Sequence, residues 1–374
     1  MVEIASLFLK GQASMNNIYT NHNISFTLSP EGGILFVDHQ KNDRSGHFGH
    51  AMVQCANGDV LCFYPNCNND VEGHSGRGWM EYQRSTDGGL TFAPAQPLPY
   101  SKTLYDLNIG TTSMNEKAVC TPKGTVLLFN IICDVSTSAV WEPYLRPTYL
   151  RSTDNGYTWE QAKIFCDWRG RIYDVQIMNE KIYVLMGCGW NTPEEENCFR
   201  LYVSEDDGIT FREHSKLPFE TGTMKRFYGT MERLQDGRLI IYTYNPEDEN
   251  NLDYVVANPS LDGWSEVRHA YFARRIRNPQ MISFKGSYFI FGRSGQLGKE
   301  EDNGHVICYC SEDGINWNEG RYVIKRTAGI GAYSNTLRVT FGGVERVLYQ
   351  TSHAYHLHQT NILHFWLDGE SIES

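Results

Sequence analysis

Several absences constrain this 374-residue chain before any motif is considered. No apolar run reaches transmembrane length, and the opening MVEIASLFLKGQ has only a brief apolar stretch behind an acidic residue, without a small-residue cleavage pattern. There is no basic stripe. The net charge of −11, from 33 basic and 44 acidic residues, removes the electrostatic basis for binding nucleic acid or an anionic membrane surface. No Pro/Gly/Ser-rich linker, charge block or low-complexity tract divides the sequence, so a single domain over 1–374 is expected. Amphipathic patterns longer than two or three helical turns are also missing, which excludes helical bundles. The ten cysteines are scattered through apolar runs, and Cys308-Tyr-Cys310 has neither redox nor zinc spacing. They read as reduced, buried thiols rather than a disulfide framework. A cytoplasmic location follows as an expectation, with a trimmed exported form left open. Without metal-ligand spacing or a glycine-rich phosphate loop, no metal and no cofactor are expected.

What the chain does contain is repetition. Ser85-Thr-Asp87-Gly-Gly-Leu-Thr91-Phe92 returns as Ser152-Thr-Asp154-Asn-Gly-Tyr-Thr158-Trp159 and as Ser204-Glu-Asp206-Asp-Gly-Ile-Thr210-Phe211. A shorter copy runs from Ser311 to Trp317, and Ser260-Leu-Asp262-Gly-Trp264 is a worn one. The five Asp positions lie 67, 52, 56 and 51 residues apart, the period of a four-stranded unit. Asp bonding its own backbone and Gly at positive φ make each phrase a tight turn, with the terminal aromatic folded over it. An EF-hand loop would need alternating oxygen ligands and a closing Glu, which are absent.

A second repeat has the form strand, polar turn, strand, at 50–64, 116–130, 173–187, 228–243, 278–292 and 334–350. Six such hairpins match the inner strands of propeller blades and predict an all-β, six-bladed β-propeller. Closure is expected from an N-terminal strand, Ile24 to Leu28 or Gly33 to Val37, pairing with Ile362 to Leu367. In this fold the inner strand starts converge on one face, where they place His50, Glu116, Asp174, Tyr228, Asn278 behind Arg277, and Tyr333. Arg293 and His353 end inner hairpins, and Trp79, Trp141 and Trp190 border the same face. Two carboxylates, histidine, arginine and two tyrosines suit acid/base chemistry on a sugar. Hydrogen bonding to nearby backbone, or plugging of the channel, is the bland alternative for each of them.

The repeated turn resembles the Asp-box (BNR) repeat of the sialidase superfamily, where it joins the third and fourth strands of a blade, away from the active site. Gly331-Ala-Tyr333-Ser334 followed by Val347-Leu-Tyr349 is similar to the segment carrying that family's nucleophilic tyrosine. The resemblance implies a sialidase-like propeller with Tyr333 as nucleophile and Arg277 as a remnant of the arginine triad. Elsewhere the pattern departs. Phe48-Gly49-His50 stands where the family has Arg-Ile-Pro, and the stretch from His74 to Glu81 has no acid/base Asp. Tyr228 replaces the Glu that polarises the tyrosine, and Tyr244 replaces an Arg.

The reading is a carbohydrate-active enzyme on an oligosaccharide or glycoconjugate, an exo-acting glycoside hydrolase of altered specificity. Its catalytic candidates are Tyr333, Asp174, Glu116 and His50. Substrate contacts are assigned to Arg277, Tyr228, Arg293, His353 and Trp79. The alternatives are a uronate-type lyase using His, Tyr and Arg, and a non-catalytic glycan- or protein-binding propeller.

Overall fold

A computed structural model describes residues 18–372 apart from 22, 69–75, 137–143, 188–196, 221–226, 249, 274–275, 295–303, 318–320, 326–332 and 357–358. Six antiparallel sheets are arranged as blades around a central axis. The first blade is Met52–Gln54, Val60–Cys67, Gly78–Ser85 and Gln96–Pro97. The second is Thr111–Cys120, Val126–Asp134, Thr148–Ser152 and Lys163–Ile164, and the third is Arg171–Met178, Lys181–Gly187, Phe199–Ser204 and Arg212–Lys216. The fourth comprises Phe227–Arg233, Leu239–Tyr244, Asn251–Ala257 and Arg268–Tyr271, and the fifth Ile276–Phe284, Ser287–Ser294, Val306–Ser311 and Arg321–Lys325. All six expected inner hairpins are present.

The sixth blade closes the ring. Ser334–Phe341, Val344–His356 and Gln359–Ser371 supply three strands, and the N-terminal strand Ile24–Val37 adds a fourth, flanked by Ile18–Asn21. Both proposed closing segments take part, Leu28 opposite Leu367 and Leu35 opposite Leu363. Pairing Ile24–Val37 with Gln359–Ser371 ties the N-terminal strand into the last blade and closes the ring.

Blades stack face to face, so their second strands are buried on both sides and read as continuous apolar runs. Val126–Asp134 shows the consequence. Leu127 and Phe129 pack with Ile182 and Val184 of the third blade, whereas Leu128 and Ile131 pack with Leu61 and Phe63 of the first. Among the described residues no helix is long and apolar enough to cross a membrane. The one α-helix there, Pro99–Leu107, starts with Pro at its first turn and ends at Asn108 in the left-handed conformation.

Every copy of the repeated turn joins the third and fourth strands of its blade. In the second blade Ser152 Oγ donates to Asp154 Oδ1 at 2.7 Å and accepts from Gly156 N at 2.8 Å, and Thr158 N donates to Asp154 Oδ1 at 2.9 Å. The first and third blades repeat these bonds with Ser85/Asp87 and Ser204/Asp206. Bonds from Thr158 hold the Asp154 carboxyl down at about 2. The turn also seals a seam. A Cβ on Gly156 would lie 2.5 Å from Leu61 of the preceding blade, and one on Gly208 2.5 Å from Leu127. In the worn copy Asn258 binds Asp262, while Trp264 Nε1 donates to Ser215 of the preceding blade.

Candidate active site

Four inner strands carry a β-bulge at the same depth. The register slips between Asn115 and Lys117, Ile172 and Asp174, Phe227 and Gly229, and Arg277 and Gln280. A bulge leaves one residue unpaired and re-aims its side chain. The residues so released, Glu116, Tyr173, Tyr228 and Asn278, all line one pocket on the axis, with Gly49, His50, Lys117, Arg171 and Tyr333. Tyr228 at φ 57° and Asn278 at φ 55° hold left-handed backbone, strained for Tyr and tolerable for Asn. The interior of the pocket measures about 20 Å³, room for one small polar group.

At its centre the Tyr228 and Tyr333 hydroxyls meet at 2.7 Å. Arg277 donates to the Tyr228 hydroxyl at 3.3 Å, and the Arg171 guanidinium lies 5.2 Å from the Tyr333 ring and 5.5 Å from the Tyr228 ring. Burial, reinforced by Tyr228, pushes the Tyr333 phenol well above its ordinary range, although Arg171 and Arg277 oppose this. Burial works against the Arg277 charge, but the neighbouring phenols outweigh it and raise the guanidinium further.

Arg171 also grips Glu116. Its Nε and Nη2 both donate to Glu116 Oε2, at 2.9 and 2.7 Å, leaving Oε1 buried without a hydrogen-bond partner. Burial raises the Glu116 carboxyl, partly offset by Arg171. His50 contacts the His47 carbonyl at 3.4 Å and Gln350 at 3.3 Å, and Gln350 reaches His364 at 2.8 Å. Burial lowers His50 to about 3, so it is neutral near neutral pH.

Lys117 forms the floor. Its ammonium donates to Gln280 and Asn335 at 2.5 Å each and lies 3.2 Å from Asp174. Beyond it the channel reopens into a cavity of about 330 Å³, lined by Asp174, Glu232, Gln176, Gln54 and Arg338 among others. Glu232 is pushed up to about 7 there by burial, against Arg338 and two backbone amides.

The expected site residues therefore divide. Tyr333, Tyr228, Glu116 and His50 come together, and Arg277 joins them through Tyr228. Asp174 instead faces the far cavity, because the bulge gives its place at the rim to Tyr173. Its carboxylate accepts from Val175 N, Thr230 Oγ1 and Met231 N and pairs with Lys117, which ties the third blade to the fourth. Arg293 is the buried cross-strand neighbour of Arg277 and does not line the pocket. His353 is half-buried opposite Asn361 in the sixth blade, away from the pocket lining. Trp79 lies under Arg44 and Lys102 and donates to Glu81, also outside the pocket. Trp141, Trp190 and the first residues of the His74-to-Glu81 stretch lie outside the described residues. Sequence reasoning missed Arg171, Tyr173 and Lys117. Arg171 carried a signal, as a charged residue opening a strand at the depth of the other rim groups.

No protein-family model matches this sequence, and no curated protein matches it. Solved structures do. A protein of unknown function from Dyadobacter fermentans shares 13% identity at a TM-score of 0.67, with 90% of this chain and 97% of that one covered. The NanB sialidase of Streptococcus pneumoniae is similar at 12% identity and a TM-score of 0.64, over 90% of this chain and 70% of its own. The intramolecular trans-sialidase of Ruminococcus gnavus, solved with oseltamivir carboxylate, gives 11% identity and a TM-score of 0.60, over 91% and 97%. With the six blades and their closure, this likeness establishes that the chain has the sialidase-like six-bladed propeller fold.

Proposed function

We propose that the protein is a carbohydrate-active enzyme that engages an acidic sugar at the tyrosine-lined pocket and cleaves its glycosidic bond as an exo-acting hydrolase. The observation that carries this reading is the Tyr228–Tyr333 hydroxyl pair held between two guanidiniums. Arg171 and Lys117 line the pocket and Arg277 reaches it through Tyr228, so cationic side chains surround the place a substrate anion would take. A narrow pocket at the mouth of a closed channel suits the end of a glycan rather than its middle. Tyr333 is the attacking oxygen, because a phenol avoids the repulsion a carboxylate would meet from the substrate's own charge. As Tyr333 bonds to the anomeric carbon and the glycosidic C–O bond breaks, its phenolic proton passes to ionised Glu116 at Oε1 and on to the departing oxygen, while Arg171 and Arg277 favour the developing phenolate. Water then attacks the same carbon, and Tyr333 leaves as phenolate and regains a proton from that water through Glu116. The fold's sialidase neighbours support a glycan as the substrate class.

One observation favours a second reading. The partner of Tyr333 is another phenol rather than a carboxylate, and the raised Tyr333 phenol is protonated near neutral pH. Such a pair beside an Arg-neutralised carboxylate suits proton transfer at the neighbouring carbon, as in a uronate lyase. A screen of acidic oligosaccharides and aryl glycosides, read in parallel for reducing ends and ultraviolet absorbance, tests both. Sugar release abolished by Tyr333→Phe supports hydrolysis, and an ultraviolet-absorbing unsaturated product moves the protein to the lyases. Silence of the folded wild type in both channels overturns catalysis in favour of a binding propeller.

A further inference from the structure

The pocket holds polar groups that the protein itself leaves unanswered. Asn278 is 4% exposed, and neither its Oδ1 nor its Nδ2 has a hydrogen-bond partner. Glu116, 7% exposed, leaves Oε1 in the same condition. Both side chains reach the pocket from bulges, and Asn278 does so from left-handed backbone. Buried amides ordinarily find partners, and one kept unpaired on a bulge that aims it into a pocket is open to a ligand.

We infer that Asn278 is a specificity-determining residue that reads one hydroxyl of the sugar, set beside the carboxylate bound by Arg277. The inference rests on the reading of the pocket as an acidic-sugar site. The donor and acceptor inventory selects the group. An Asn amide offers a donor and an acceptor side by side, and Glu116 Oε1 accepts when ionised and donates when protonated. A hydroxyl can accept from Asn278 Nδ2 and donate its one proton to Asn278 Oδ1 or to Glu116 Oε1, whereas a carboxylate can only accept and would meet the Glu116 oxygen unfavourably. The space matches as well, since about 20 Å³ admits a single substituent and leaves the sugar ring above it. Arg277, adjacent in sequence and bonded to Tyr228, sets the distance between the anion and the hydroxyl that is read.

Calorimetric titration of hexuronic and nonulosonic acids and their single-deoxy analogues into wild type, Asn278→Gly, Asn278→Asp and Arg277→Met tests this, with thermal melting to verify folding. Asn278→Gly accepts the left-handed backbone, and Asn278→Asp keeps the shape while losing the donor. For the tightest sugar, deletion of one hydroxyl is expected to weaken wild-type binding about 10- to 100-fold and to weaken the two Asn278 variants less than about 3-fold. Undiminished discrimination in both Asn278 variants, with binding still dependent on Arg277, overturns the inference and leaves the acidic-sugar reading standing. Failure of folded wild type to bind any acidic sugar overturns both.

Discussion

The outer turns and the inner strand starts are products of the same sixfold repetition, yet they have opposite characters. In the turns the same Ser, Asp, Gly and Thr recur, and the same hydrogen bonds recur with them, to within 0.1 Å for the Ser–Asp and Ser–Gly contacts of the first three blades. At the inner starts the backbone device recurs, a bulge at one depth, while the residue it presents changes from Glu to Tyr to Tyr to Asn. The Ser and Asp side chains of the turns are bonded within the turn, whereas Glu116 Oε1 and the Asn278 amide are left open. Within one fold, repetition of side chains marks construction, and repetition of backbone with varied side chains marks chemistry.

The sharpest break of this comparison is Tyr333→Phe against Ser152→Ala. Loss of the Tyr333 hydroxyl is expected to reduce turnover by at least ~10³-fold with the melting temperature nearly unchanged, if that oxygen attacks substrate. Next is acid stability at the seam of the first and sixth blades. Burial lowers His39 to about 4 and His50 and His364 to about 3, from 6.5. The unfolded chain takes up these protons before the folded one, so the contribution is complete above pH 6.5 and is lost as pH falls toward about 3. Each histidine adds a slope of about 1.4 kcal/mol per pH unit. Urea midpoints at pH 7 and 5 should show the fall, and His364→Gln should flatten it; an equal fall in that variant would refute the assignment.

Arg171→Met should cost ~3–5 kcal/mol, because it strands the buried Glu116 carboxylate, and Arg171→Met/Glu116→Gln should recover part of the loss. Denaturant unfolding of both variants measures this, and additive losses would show that the pair is not coupled. Gly156→Val is expected to cost ~2 kcal/mol or more, from its φ of +75° and the 2.5 Å approach to Leu61. The smallest effect is Ser152→Ala, about 1 kcal/mol with activity retained. Comparable losses of turnover in Ser152→Ala and Tyr333→Phe would erase the distinction between turn and rim.

The turns were legible in the sequence because the Ser, Asp, Gly and Thr bonds that shape them span no more than four residues. The hairpins were legible from their two apolar runs, and the closing strand from the apolar stretches at both ends of the chain. The site was legible only in part. Tyr333, Tyr228, Glu116 and His50 were found by counting inward from hairpin starts, but counting assumes an unbroken register. A bulge shifts the count by one, which is why Asp174 was expected where Tyr173 stands. Arg171 was missed because its meaning lies in Glu116, 55 residues away in another blade. Trp79 was assigned to sugar by its flat ring, whereas Arg44 and Lys102 already occupy its surroundings.

Closure of the ring sets a schedule as well as a shape. Ile34 pairs with His364, 330 residues later in the chain. At a synthesis rate of ~5–20 residues per second, the Ile24–Val37 strand waits roughly 15–65 s for its partner to be made. During that interval five blades can assemble while a strand with unpaired amides and carbonyls remains available to any other strand it meets. Synthesis of Gln359–Ser371 therefore decides whether Ile24–Val37 folds within its own molecule or with another.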